Sequence, residues 1–234
     1  MTQNKVVVVA GAGPGNGAAL ARRFAAEGRQ VALLARDKGR VDALAADITG
    51  ARGYACDVGD AASVKACFAA VAAEMGEVDT LLYNAGSGVF ADVETITAEQ
   101  FEAAWRVNAL GSFLCSSAVI PVMKAGGAGS IVFIGATASR KGGKMSAAFA
   151  PAKAAQRSLA ESMARSLWPS GIHVALIIVD GVVDLKATRA KMPDKPDGFF
   201  VDPAGVAEIA WTLTRQSPQA WSFEVEARPF GETW

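Results

Sequence analysis

The 234-residue chain holds one histidine, two tyrosines and three cysteines. A lone histidine, His173, cannot build a histidine metal cluster, and without a Ser or Asp partner it makes no catalytic triad. It falls in an apolar run that reads as a strand, so its expected role is structural, and no metal is expected. Cys56, Cys67 and Cys115 lie far apart with no C-x-x-C, the pattern of reduced, packed thiols in a cytoplasmic protein. Charge is balanced, 23 Lys+Arg against 23 Asp+Glu, which argues against a nucleic-acid or membrane-surface binder. No basic segment followed by an apolar run opens the chain, and no apolar stretch is expected to reach membrane-spanning length. Repeats, low-complexity tracts and domain linkers are missing too. What remains is 51% apolar with a mean hydropathy of +0.24, enough for a sizeable core in one cytoplasmic domain spanning 1–234.

The stretch that organises this domain is Val6-Val7-Val8-Val9-Ala10-Gly11-Ala12-Gly13-Pro14-Gly15-Asn16-Gly17, followed by a helical run from Ala18 to Glu27. A β-branched run without polar alternation is a strand buried on both faces, as in a parallel sheet. Strand, glycine turn and helix in that order form a dinucleotide-binding opening. Glycines permit the tight turn and close approach of backbone to a pyrophosphate, whose charge the helix N-terminus favours. The spacing G-x-x-x-G-x-G is wider in its first interval than the usual Gly-x-Gly-x-x-Gly.

Strand–helix alternation continues. Strands are expected at 31–35, 54–56, 78–83, 130–135, 173–179 and 222–225, and helices at 38–47, 60–75, 98–124, 147–167 and 203–216. Asp60 is a helix cap, and Thr97 is an N-cap with Gln100 three residues on. Residues 184–200, rich in Lys, Pro and Asp, are expected to be irregular. The alternation predicts an α/β fold, a doubly wound parallel sheet of Rossmann type with helices on both faces and ligands beyond the carboxyl ends of the strands.

Five motifs then carry a resemblance: Gly11-x-x-x-Gly15-x-Gly17, Asp57-Val58, Asn84-Ala85-Gly86, Asn108 within Val107-Asn-Ala-Leu-Gly111, and Phe149-x-x-x-Lys153. In order and spacing, over nearly the whole chain, they resemble a short-chain dehydrogenase/reductase. The resemblance implies NAD(P)(H) as cofactor, held by Gly11, Gly13, Gly15, Asn16 and Gly17, with Asp57 and Val58 at the adenine. It also implies that Asn84, Ala85 and Gly86 line the cleft and that Lys153 holds the nicotinamide ribose. Gly181 and Val183 would lie near the nicotinamide. It makes residues 184–200 a substrate lid, solvated by default, and the helices at 98–124 and 147–167 subunit faces of a homodimer or homotetramer. Trp221, Phe230 and Trp234 are further candidates for subunit contacts.

The second strand ends at Ala35 without the acidic residue that would bind ribose hydroxyls, and Arg36 follows with a guanidinium suited to a 2′-phosphate. NADP(H) is therefore expected over NAD(H), although Asp37 opposes it mildly and Pro14 supplies no second cation.

The chemistry departs from the family pattern. Lys153 fixes the register, because residues four apart share a helix face. Counting back, the usual tyrosine position is Phe149 and the usual serine position is Ala136. Neither Tyr54 nor Tyr83 lies in this segment. A positioned general acid is worth about 10²–10⁴-fold, so three explanations stand. In the first, Thr137, Ser139, Ser146 or Lys153 itself substitutes as proton donor. In the second, the acceptor is an iminium that needs no acid. In the third, the chain binds cofactor silently, as a sensor or structural partner. By resemblance Asn108 bends its helix and holds a water leading to Lys153. Ala136, Thr137 and Phe149 would line the pocket of a small, hydrophobic substrate. Asp180, where the family commonly has proline, reads as a turn residue, with approach to a cationic substrate as the alternative.

Overall fold

The computed structural model describes residues 5–231; Trp234, expected at a subunit contact, lies outside them. Seven strands form one parallel sheet: β1 (Val6–Ala10), β2 (Gln30–Ala35), β3 (Ala51–Ala55), β4 (Val78–Tyr83), β5 (Gly129–Ala136), β6 (Ile172–Val179) and, at the edge, Glu224–Ala227. A separate parallel pair, β7 (Val182–Val183) and β8 (Phe200–Val201), falls in the chain between β6 and that edge strand, which is therefore β9. The sheet order is β3-β2-β1-β4-β5-β6-β9, so the winding reverses between β1 and β4 and opens a crevice at their carboxyl ends. This is the expected Rossmann-type fold.

All of β1 is solvent-free because both faces of the sheet are covered. Val6, Val8 and Ala10 pack under α3 (Ala61–Glu74), α5 (Gly111–Gly126) and α6 (Phe149–Leu167) through residues such as Phe68, Met123 and Leu167. Val7 and Val9 face α1 (Asn16–Ala26), α2 (Lys38–Ala46) and α8 (Pro203–Thr214), which contribute Phe24, Val41 and Leu213. Helix starts follow the sequence. Asp37, Asp60 and Asp202 each accept first-turn N–H groups, and Thr97 with Gln100 completes a capping box on α4 (Ala98–Trp105).

The structure corrects several expected elements. The third strand is 51–55 and the last is 224–227, two residues later than expected, because edge pairing with Leu176–Val179 sets its register. The helix at 98–124 is not continuous α-helix. Five residues, Arg106–Leu110, form a π turn in which Gly111 N–H donates to Arg106 C=O before α5 begins. Residues 184–200 are not wholly irregular: they hold α7 (Lys186–Lys191), and β8 closes the segment back onto β7. Contrary to expectation, the helical run 98–126 is long and apolar enough to cross a membrane by length and composition. In this fold, Cys115, Val119 and Met123 of that run pack into the core of the sheet.

Candidate active site

At the crevice, Asn84 Nδ2 donates to Gly11 C=O over 2.8 Å and ties the ends of β1 and β4 together. The approach leaves no room for a side chain at 11, since a Cβ would lie 2.3 Å from Ala85 N and φ is +93°. Gly13, in contrast, faces open space. Beside it lies a cavity of about 340 Å³ whose walls include Gly11, Gly13, Arg36, Asp57, Val58 and Asn84. Asp57 is oriented by Gly59 N–H at 2.9 Å. Among the described residues the exposed Arg36 enters no ion pair, while Asp37 is engaged as a cap and by Arg40 at 3.2 Å.

Asn16, in the first turn of α1, has a buried side-chain oxygen with no hydrogen-bond partner among the described residues, and Asn108 has another. Buried polar atoms without partners are uncommon in folded proteins. Both atoms are acceptors and would take O–H or N–H donors, such as the ribose hydroxyls of a nucleotide, whereas the helix N-terminus after the glycines suits its phosphates. The lid reaches the same place: a Cβ on Gly15 would meet Leu185 Cδ2 at 2.3 Å and Val183 Cγ1 at 3.9 Å. Gly181 has φ +151°, and a Cβ there would press on Val201 and Pro229. Within the lid, Arg189 pairs with Asp184 and Asp197.

Next to Gly86 of the crevice wall lies the π turn. Its opened carbonyls are taken by side chains: Asn108 Nδ2 donates to Ala104 C=O at 2.8 Å, the Tyr83 hydroxyl to Val107 C=O and Gln156 Nε2 to Asn108 C=O at 3.2 Å. Asn108 also donates to Ser87 C=O at 3.2 Å. Lys153 is 4% exposed; its Nζ donates to Ile134 C=O at 2.8 Å and to Gln156 Oε1 at 3.1 Å. Burial alone pulls its pKa down from 10.5 to about 7. A Cβ on Gly86 would lie 3.5 Å from Asn108 Oδ1 and 3.9 Å from Lys153 Nζ, so both groups face Gly86 of the crevice wall.

Each candidate substitute hydroxyl has a partner in the fold. Thr137 donates to Asp180, whose other carboxylate oxygen pairs with Arg228. Ser139 Oγ accepts Ala136 N–H at 3.1 Å, and Ser146 Oγ is bound within its own loop to Gly143. Both oxygens of Asp180 are thus held within the fold. Phe149 has its ring 5.5 Å from that of Phe90, and Lys153 Nζ lies 6.0 Å from the Phe149 centroid. His173, at the opposite end of β6, sits between Leu213 and Ser222 carbonyls, stacked on Trp221. Sequence reasoning missed Gln156, the Asp180–Arg228 pair and Leu185 on the glycine loop. Only Gln156 left a signal: a polar residue three positions after the lysine shares its helix face.

This fold and crevice define a Rossmann-type α/β nucleotide-binding class. The profile of the short chain dehydrogenase family matches residues 5–195, and the chain belongs to that family, whose members are oxidoreductases. A D-threitol dehydrogenase of Mycolicibacterium smegmatis is 40% identical over 132 residues, 55% of this chain and about half (51%) of that enzyme. The 3-oxoacyl-(acyl-carrier-protein) reductase MabA of Mycobacterium bovis is 32% identical over 187 residues, 80% of this chain and 72% of that enzyme. A metagenomic short-chain oxidoreductase solved in complex with NADP superposes with a TM-score of 0.84 at 28% identity, covering 98% of this chain and 99% of that one.

Proposed function

We propose that the protein is an NADP(H)-dependent short-chain oxidoreductase acting on a small, hydrophobic carbonyl, alcohol or imine, with Lys153 as its proton donor or acceptor. The observation that carries this reading is the buried Lys153 amine, whose pKa is lowered to about 7 and which faces the crevice wall at Gly86. A group that titrates near neutrality has an appropriate affinity for both giving and taking a proton. When bound, the nicotinamide ring supplies or accepts the hydride. The glycine turn would hold the pyrophosphate, Asp57 and Val58 the adenine, and Asn84, Ala85 and Gly86 the cleft wall. Arg36 would pair with the 2′-phosphate that distinguishes NADP(H). Phe149 and Ala136 would give the acceptor an apolar wall. Lys153 as ammonium would protonate a developing alkoxide; as amine it would take the proton of an alcohol.

A silent NADP(H)-binding role is the second reading, favoured by the Thr137 and Ser146 hydroxyls donating to Asp180 and to Gly143 C=O. Exposed Phe101, Trp105 and Phe113 on the 98–126 run support a homodimer or homotetramer. Calorimetric titration with NADPH and NADH tests the shared premise; equal affinities would remove the phosphate preference. Turnover on ketone and imine panels then separates the two readings. Ketone reduction that Lys153→Met abolishes while NADPH still binds supports the enzyme. Turnover appearing only after Phe149→Tyr with Ala136→Ser supports the silent reading.

A further inference from the structure

A lysine amine needs fixed acceptors if it is to be aimed. Lys153 has two, and they differ in kind. Ile134 C=O belongs to β5, is held by the sheet and cannot be altered by substitution. Gln156 Oε1 is a side chain, fully buried, one helical turn along α6 from the lysine. Its other end donates to Asn108 C=O at 3.2 Å, a carbonyl in the π turn that precedes α5. One amide therefore joins α6 to the distorted turn that carries Asn108, and the candidate proton donor hangs from its oxygen.

We propose that Gln156 is a positioning residue for Lys153: its amide oxygen clamps the amine, its amide nitrogen anchors that clamp to the π turn, and the pair directs the amine's remaining valence toward the crevice. The proposal deepens the reading of Lys153 as proton donor, although the clamp itself does not depend on turnover. It has a chemical consequence. A backbone carbonyl and an amide oxygen are acceptors with no proton to return, so neither partner of the amine can re-protonate it. The lysine must exchange protons on its crevice side.

Among the described residues no ionised group pairs with the amine. Tyr83 of β4 spends its hydroxyl on Val107 C=O, Arg106 pairs with Glu102, and Arg157 of α6 pairs with Glu224. Arg140, after β5, turns to Glu224 and Glu226, and His173 lies at the far end of β6. Neutral acceptors alone fix the amine, so changing the charge or reach of one of them should register directly on its protonation.

The test is a pH titration of the Lys153 Cε resonance in 13C-lysine-labelled full-length protein, assigned by its loss in Lys153→Met. Gln156→Glu places a carboxylate against the amine and should raise the midpoint by about one to three pH units. Gln156→Met keeps the volume but removes the acceptor, which should lower the midpoint. Gln156→Asn, too short to span both partners, should fall on the same side as Gln156→Met and serves in its place if the methionine variant does not fold. Where the wild type turns over, the pH–rate profile should move with each midpoint. Coincident titrations for the wild type, Gln156→Glu and a folded neutral variant would overturn the clamp. A wild type that turns nothing over would overturn the proton-donor reading while leaving these midpoints to be read on their own.

Discussion

Replacing Lys153 by methionine should change how stability depends on pH, by an amount the burial sets. In the unfolded chain this amine titrates near 10.5, whereas in the fold burial holds it at about 7. The difference corresponds to about 5 kcal/mol against folding when both states are protonated. The folded pKa is below the unfolded one, so between the two values the unfolded chain binds more protons. Stability therefore rises with pH across that window and is lost as pH falls toward 7. Between about pH 6 and about pH 9 the linkage relation gives the wild type a gain of about 2.7 kcal/mol that Lys153→Met lacks. Methionine also leaves Ile134 C=O and Gln156 Oε1 without their donor, but that cost does not vary with pH over this range and cancels from the difference. Urea unfolding of both cofactor-free proteins at the two pH values measures it. Parallel pH dependences would show that the amine is hydrated in the native protein, and the argument for a neutral-range proton donor would fail with it.

The remaining predictions concern the crevice and the far end of the sheet. Arg36→Ala should raise the dissociation constant for NADPH about tenfold, as expected for loss of a charge-assisted contact, and leave that for NADH nearly unchanged. By calorimetry, an equal loss for both would remove Arg36 from the phosphate. Gly11→Ala should destabilise by about 3 kcal/mol or more, because backbone at Ala85 blocks the new Cβ, whereas Gly13→Ala, facing open space, should leave Tm nearly unchanged while weakening NADPH binding. Burial lowers the His173 pKa, so the unfolded chain takes the proton first and stability should drop as pH falls below about 6.5. His173→Phe should lack that component in a Tm-versus-pH series.

The parts of the fold legible in the sequence were those whose signals are local. Four consecutive valines, a glycine turn and an Ala/Leu-rich helix are adjacent in the chain, and Asp60, Thr97 and Gln100 act within one turn of themselves. A bend at Asn108 was implied by the resemblance alone, and its form as a π turn was not legible, because Tyr83 and Gln156 reach the Val107 and Asn108 carbonyls from β4 and α6. The same holds for the lid: two-residue strands exist only because 182–183 and 200–201 meet across the intervening helix. In the site, counting four residues back from Lys153 led to Phe149, but no count could show that Thr137 is drawn off by Asp180 and Arg228. Spacing locates a side chain on an element, whereas its hydrogen-bond partner depends on what the tertiary fold places opposite.

That distinction bears on which chemistry the amine can serve, and pH dependence separates the choices. Above its pKa of about 7 Lys153 is a base, and below it an acid. If it protonates a ketone oxygen during reduction, kcat should fall about tenfold per pH unit once the pH passes that value, because only the ammonium carries the needed proton. Run in the alcohol-oxidising direction, the same group must accept a proton, so the rate should climb with pH and level off above about 7. Reduction of a preformed iminium develops no alkoxide and should show neither limb. Measured under saturating cofactor, opposed limbs in the two directions sharing one midpoint would assign the proton to Lys153. A ketone-reduction rate that stays level from about pH 6 to about pH 9 would exclude it, since no ordinary shift leaves an amine with this burial equally protonated across that range.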